Sequence, residues 1–398
     1  MMSQRIGMKE TEYVNEVLQA QFSSSSGATM MKRLERAFAE RFGVQYAISH
    51  VNGTATMHSI LEAWGIGPGD EVIVPPLTMA STSFAVLHAG ATPVFADVDY
   101  GTFQIDAESI ASRVSEKTKA IITVALYGLS PDMDPIMDLA ERFNLYVLED
   151  NAECFLGYYK GTLCGTIGHA ASFSFQSSKH ITSGEGGMVI TNDGELALDV
   201  RRFSSLGYAG LGNKEGKITK RDIQNPHYKR HAQLGWNYRM PELCSAVALA
   251  QMERIDELVD ARVNAARILA DAVTHCEWLV PQHIPGDEYV HSYWAWPVRL
   301  EHPSLTWEQF RDAFVDMGGD GIYAAWELTY LEPVFQNAVF AGRERHINPE
   351  RLRQYKRGLC PTAEKLQPKI LSFKTNYWDS GEAERQAEIL HSIIKKFS

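Results

Sequence analysis

Three places in the sequence combine residue types that could do chemistry. The stretch "SFSFQSSKHITSGEGGMVI", residues 172–190, sets Lys179 beside His180 in a run of small polar residues. Five positions after the lysine comes Gly184-Glu185-Gly186-Gly187, and then an apolar strand. Asp150 closes the apolar run "LYVLED". A buried acid there needs a partner, which could be a capped backbone, an arginine or a protonated heterocycle. The turn "NGT", residues 52–54, opens an amphipathic stretch. Its backbone N–H groups at a helix N-terminus suit an anion, and Gly53 lets a phosphate come close. Singly, each has a structural reading: a solvated loop lysine, a capped acid, an ordinary helix cap.

The elements that must position these residues follow an α/β pattern. Apolar, β-branched runs at 71–76, 92–99, 119–128, 145–150, 171–176 and 187–193 read as strands, several of them apolar on both faces like strands of a buried parallel sheet. Helical stretches alternate with them, as at 134–144. Thr29 is the expected N-cap of a helix whose Met31, Leu34, Phe38 and Phe42 share a face. Met57, Ile60, Leu61 and Trp64 form the face of the helix after "NGT". "SSSSG" at 23–27 reads as a flexible loop. From Pro241 one long helix is expected, with Leu243, Val247, Ala250, Ile255 and Leu258 on one side. Beyond about 260 the composition turns to mixed helices and short strands. A large domain over 1–255 and a smaller C-terminal α+β domain over 256–398 are expected, with Tyr293, Trp294 and Trp296 in the core of the second and a final helix from about Gly381.

Ligands of open α/β sheets bind at the carboxyl ends of the strands, and all three features fall at such ends. A lysine for a Schiff base, an acid for a pyridine nitrogen and a phosphate cup are what pyridoxal phosphate requires. The Gly-rich "GIGPGD", 65–70, precedes a strand instead of following one and is no dinucleotide loop.

At this point the sequence resembles the DegT/StrS-type sugar aminotransferases, from about residue 10 to 395. The likeness is densest in "NGTATMHSILEAWGIGPGDEVIVPPLTMAS", "VLEDNAECFLGYYKG", "SFSFQSSKHITSGEGGMVITND" and "GWNYRMPELCSAVALAQMERIDEL". The resemblance implies the fold-type I architecture, with a mostly parallel seven-stranded sheet between helices. It places Lys179 at the Schiff-base position and as the catalytic base, and Asp150 on the pyridine nitrogen. Glu153 stands close to the ring. Gly53, Thr54, Ala55 and Ser174 form the phosphate cup. Asn237, in "WNYRM", reaches the phosphate of the other subunit, which implies a homodimer with composite sites. Met79 stands where many relatives stack an aromatic residue on the ring; a thioether can pack there too. Some relatives carry histidine at the lysine position and act as sugar 3-dehydratases. Here the lysine is in register and His180 is one step off, which in an extended segment points it to the other face.

The resemblance further implies amine transfer from L-glutamate or L-glutamine to a keto sugar, nucleotide-linked acceptors being preferred over a keto cyclitol or a dehydration, with ping-pong kinetics. Lys214, Lys217, Lys220, Arg221, Lys229 and Arg230 are expected either on a substrate phosphate or on a solvated loop. Composition sets outer bounds. The formal charge is -11, from 38 basic and 49 acidic residues, which argues against a nucleic-acid surface. The longest apolar run, 120–129, is too short to span a bilayer. Five scattered cysteines without a CxxC pair read as reduced thiols of a cytoplasmic protein, not a disulfide or metal framework.

Overall fold

The computed structural model describes residues 5–22, 29–208, 221 and 224–398. The apolar runs form a seven-stranded sheet in the order β1-β9-β8-β5-β4-β2-β3. Its strands are β1 (Tyr46–His50), β2 (Glu71–Val74), β3 (Thr92–Phe95), β4 (Thr118–Val124), β5 (Tyr146–Asp150), β8 (Ala170–Ser174) and β9 (Gly187–Thr191). A two-stranded hairpin, β6 (Tyr158–Tyr159) and β7 (Thr162–Leu163), lies between β5 and β8. The β3-β2-β4-β5-β8 stretch is parallel; β9 runs antiparallel to both its neighbours. Every residue of β2, β3 and β8 is buried, as a sheet covered on both faces requires. Asp150 pairs with Val124 on one side and Ser172 on the other, so β4 and β5 end level and β8 runs two residues further.

β1 carries no apolar-run signal, because Ser49 and His50 break it. Both are buried with local partners. Ser49 binds the Glu35 carboxylate through its N–H (3.0 Å) and Oγ (2.8 Å), and His50 lies 3.0 Å from both the Ile48 carbonyl and Ser59 Oγ.

Thr29 does cap the helix Met30–Phe42, accepting from the Lys32 N–H. Its buried face begins at Met30, with Met31 only partly covered, so the stripe starts one residue earlier than the spacing predicts. The "SSSSG" segment lies outside the described residues.

The long helix expected from Pro241 is two helices, Glu242–Met252 and Ile255–Ala272. Arg254 leaves helical geometry between them (φ -117°, ψ 14°), and its guanidinium turns back to Glu10 and Glu257. The break lets the first helix pack among the N-terminal helices and the second against the final helix, Ser380–Phe397. One straight rod could not reach both.

A four-stranded antiparallel sheet follows, in the order β10-β11-β13-β12, from β10 (Leu279–Pro281), β11 (Ala295–Leu300), β12 (Ile322–Ala324) and β13 (Ile370–Lys374). Trp296 and Phe373 anchor its core with ring centres 5.3 Å apart. Between β12 and β13 the chain returns to the large sheet. Tyr330, Phe335 and Tyr355 close around Phe95 at 5.3–5.7 Å. Arg351 pairs with the buried Glu71 at 2.9 Å.

Candidate active site

The segment after β8 folds into a tight turn. Gln176 Oε1 accepts from the Ser178 N–H and hydroxyl, and the Gln176 carbonyl accepts from the Lys179 N–H. The lysine side chain is thereby brought to the Asp150 edge of the sheet. Its Nζ lies 3.1 Å from Glu153 Oε1, with only 12% of the lysine side chain and 5% of the glutamate exposed. Glu153 is itself held: its Oε2 accepts from the Tyr127 N–H at 3.0 Å. Tyr127 takes a left-handed backbone (φ 63°) to aim that N–H. A non-glycine residue adopts such a conformation only when its surroundings over-determine it.

His180 points away from this pair. Its Nε2 lies 2.8 Å from the Ser292 carbonyl, its ring packs near Phe155, and no part of the residue is exposed. Burial, with Arg262 and Lys179 nearby, pushes its pKa well below the usual imidazole range, so it stays neutral. Of the basic pair, one faces the site and the other the core.

Asp150 ends β5, is 3% exposed and makes no ion pair among the described residues, though the charge of Lys179 acts on it. Thr82 Oγ1 donates to its Oδ2 at 2.9 Å, and the Ala152 N–H to Oδ1 at 3.2 Å. Burial raises its pKa to about 6, against the opposing pull of those two donors and Lys179. Thr82 was not singled out from the sequence. It sits in a run of hydroxyls after β2, and only the order β5-β4-β2 reveals that this run shares an edge with Asp150. Met79 is 51% exposed, and its carbonyl accepts from the Thr82 N–H. Its loop helps place Thr82.

The "NGT" turn starts the helix Gly53–Ala63. Asn52 caps it by accepting from the Ala55 N–H at 2.8 Å, so that N–H is already engaged. The Gly53 and Thr54 N–H groups have no partner among the described residues, as first-turn donors facing a ligand should not. Gly53 packs on Ser174: a Cβ at 53 would come within 3.0 Å of the serine Cβ. Two free N–H groups, a serine hydroxyl and a helix N-terminus make an anion cup. Gly53→Ala should push Ser174 outward by a few tenths of an ångström. We expect about a tenfold weaker affinity for a phosphate-bearing cofactor, measured by equilibrium titration, with thermal stability nearly unchanged.

The family model for the DegT/DnrJ/EryC1/StrS aminotransferases matches residues 4–388. The chain belongs to this aminotransferase family. It is 40% identical over 308 residues to the GDP-perosamine synthase of Escherichia coli O157:H7, covering 77% of this chain and 79% of that one. It is 36% identical to the L-glutamine:2-deoxy-scyllo-inosose aminotransferase of Streptomyces lividus, over 74% of this chain and 69% of that one. Among solved structures, the aminotransferase from Psychrobacter cryohalolentis superposes with a TM-score of 0.88 at 28% identity, over 98% of both chains. The two sheets are those of a fold-type I transaminase.

The family implies pyridoxal phosphate, and the residues present fit it. The aminotransferase holds a buried carboxylate that makes no ion pair among the described residues, a primary amine 3.1 Å from a glutamate, and an anion cup whose glycine leaves room for close approach. Asn237 precedes Tyr238, whose carbonyl accepts from the Val51 N–H just ahead of the "NGT" turn. Asn237 is exposed and bridges through its backbone to Ser205, beside Leu234 and Trp236, which are 87% and 46% exposed. Lys214, Lys217 and Lys220 lie outside the described residues; Arg221, Lys229 and Arg230 are exposed.

The aromatic cluster divides. Trp296 is core, as the sequence implied, but Trp294 lies at the site. Lys179 Nζ sits 4.4 Å from the Trp294 ring centre, and the indole N–H donates to the Ser178 carbonyl. Tyr127 and Trp326 run nearly parallel to that indole, at 6.3 and 5.8 Å. The three rings, with Arg262, Asp320 and Lys374, line a cavity of about 570 Å³. Among the described residues there is no cluster of metal-ligating side chains, and no helix is long and apolar enough to cross a membrane.

Proposed function

We propose that this aminotransferase transfers an amino group from L-glutamate or L-glutamine to a nucleotide-linked keto sugar, with a GDP-linked one as the first acceptor to try. The observation that carries the reading is the Lys179 amine held at 3.1 Å from Glu153, beside a buried acid and an anion cup. Bound there, pyridoxal phosphate supplies an aldehyde that carries the amino group and a ring that accepts electrons. Lys179 would hold it, with Gly53, Thr54 and Ser174 on the phosphate, Asp150 on the pyridine nitrogen and Glu153 near the ring. Ala55 supports the cup through its cap to Asn52. Met79 lies on the open side and can cover the ring face.

Lys179 Nζ is the base that removes the donor's α-proton and returns it on the far side of the transfer. Glu153 keeps Nζ in place, and Asp150, with Thr82 and Ala152 fixing its oxygens, would offer a negative charge to the heterocycle's nitrogen. The GDP preference rests on the 40% identity to a GDP-perosamine synthase. A keto cyclitol is the second reading, favoured by the 36% identity to the inosose enzyme. Dehydration is disfavoured because His180 is turned into the core.

We further infer a homodimer. Leu234 and Trp236 are exposed apolar residues flanking Asn237, and a second copy covering them would carry Asn237 toward the partner's cup.

A half-reaction experiment tests this. The cofactor-loaded protein is exposed to L-glutamate, stripped of small molecules, and offered GDP-, UDP- and dTDP-linked keto sugars and keto cyclitols separately. Release of 2-oxoglutarate followed by an aminated GDP sugar is expected, with parallel double-reciprocal lines. Amination of a cyclitol alone would replace the acceptor. Hydroxyl loss without amination would point to a dehydratase. No 2-oxo acid from any donor would sink the reading.

A further inference from the structure

The four-stranded sheet turns one face to its own core and the other to the large domain. Alternation along its strands puts Trp296, Ile322, Leu371 and Phe373 in the core. Their neighbours Ala295, Tyr323, Ser372 and Lys374 fall on the opposite face, and all four line the cavity of about 570 Å³ beside Trp294. The facing wall comes from the ends of the large sheet, as Tyr127 after β4 and Ser178 after β8. The cavity is therefore a cleft between the two sheets, of a size that suits a small ligand.

The aromatic lining is flat and only partly anchored. Tyr127 and Trp326 lie at 15° and 16° to the plane of Trp294. Trp294 is fixed at both ends: its indole N–H donates to the Ser178 carbonyl, and its own carbonyl accepts from Arg262. Trp326 is half-buried, and its indole N–H makes no hydrogen bond among the described residues. The Asn376 amide is likewise without a partner there, as is the hydroxyl of Tyr127, which is 1% exposed. A buried polar group left unpaired is costly unless a ligand bonds it. Asp320 receives Lys374 Nζ (3.0 Å) and the Tyr377 hydroxyl (2.9 Å) on Oδ2, and its Oδ1 accepts nothing among the described residues.

The cations of the cleft are already taken. Lys374 is paired with Asp320. Arg262, on the second helix of the broken pair, is 1% exposed and directs both Nη atoms to the carbonyls of Ser178, Lys179 and Trp294. No lining cation is free to grip a phosphate or a carboxylate. What remains is neutral donors and acceptors beside flat apolar faces. A sugar or cyclitol ring has the matching surface, with a face of C–H groups and a rim of hydroxyls. A purine also stacks, but position decides between the two. Trp294 lies 4.4 Å from Lys179 Nζ, and Trp326 is the next ring, 5.8 Å on. The part of an acceptor this near the reacting amine is the ring that carries its ketone, not a base beyond a diphosphate.

We propose that the cleft is the subsite for the hydroxylated six-membered ring of the acceptor, stacked on Trp326 and hydrogen-bonded by Asn376, Ser372 and Oδ1 of Asp320. This rests on the amine-transfer reading, which makes Lys179 the point to which the ketone must come, and it adds the residues that tell one ring from another. A keto sugar and a keto cyclitol present the same chemistry here. A diphosphate has to lie outside the cleft.

Binding is measured by calorimetry on the protein supplied with pyridoxamine phosphate, using GDP, GDP-mannose, which has no ketone to react, and myo-inositol. GDP-mannose should bind wild type about tenfold tighter than GDP, the difference being its ring. For a cyclitol enzyme, myo-inositol binds instead. Trp326→Ala should cancel the ring's contribution, a loss of about tenfold, and leave the affinity for GDP unchanged. Trp326→Phe should restore most of it, since a flat face is kept. Asn376→Ala should weaken either ring ligand about threefold. An equal loss of GDP and GDP-mannose in Trp326→Ala would put the base on the indole and overturn the proposal. So would a folded Trp326→Ala with wild-type affinity for the ring ligand, or a wild type that neither prefers GDP-mannose to GDP nor binds myo-inositol. Should Trp326→Ala not fold, unchanged ring affinity in Asn376→Ala would overturn it. Absence of amine transfer to any acceptor would sink the proposed reaction and leave these affinities standing.

Discussion

Lys179→Ala should lower turnover by at least about 10^4-fold, the upper end of what one positioned acid–base group contributes. The loss has two parts. The variant has no amine to hold the cofactor's aldehyde, and nothing replaces the base. It also leaves Glu153 buried with only the Tyr127 N–H, and an unpaired buried charge costs on the order of 3 kcal/mol. A melting curve and a rate must therefore be read together. Small primary amines separate the two parts. Ethylamine should restore a measurable fraction of the rate without restoring the melting temperature, because it returns the base but not the tether. A melting temperature equal to wild type would mean that the Lys179–Glu153 pair contributes nothing in solution. A rate equal to wild type would remove Lys179 from the reaction.

Asp150→Asn should have opposite effects on stability and activity. In the free protein the carboxyl is raised from 3.8 to about 6 by burial. The folded state then binds more protons than the unfolded state between those values, so stability falls as pH rises from about 4 to about 6. Above that window the ionised acid costs on the order of 3 kcal/mol. The amide removes the cost, and Thr82 can still donate to its oxygen. The apoprotein of the variant should therefore melt higher than wild type at pH 7 to 8, with a flatter profile between pH 4 and 6. Its turnover should fall about 10^3-fold, since a fixed charge that stabilises the transition state is gone. Differential scanning calorimetry against pH, with steady-state rates, checks both. A variant that melts lower at every pH would show that the native carboxylate is better compensated than its burial implies.

Much of this arrangement was legible in the sequence because its signals are local. β-branched runs marked most of the buried strands, and the lysine and the acid each followed one; the strand before the glycine turn, β1, showed no such run. Thr82 was not legible, since its neighbourhood with Asp150 depends on which strand lies beside which. Arg262 looks in sequence like any helical arginine; its burial follows from the break at Arg254, which swings its helix across the lysine loop. Trp294 and Trp296 differ by two positions and should share a face. Yet Trp294 lies just before β11, where alternation no longer applies, and it turns to the lysine. Ala55 is placed in the cup by the resemblance alone; what its sequence position does not reveal is that its N–H donates to the Asn52 side chain.

The return of the chain onto the large sheet between β12 and β13 has a consequence for synthesis on the ribosome. Phe95 and its neighbours on β3 emerge early, but Tyr330, Phe335 and Tyr355, which close over them, are translated near the end. Until then the nascent chain carries an open aromatic face on an edge strand, the kind of surface that holding chaperones bind. A stop codon between residues 192 and 330 would spare every strand of the large sheet and still leave that face uncovered.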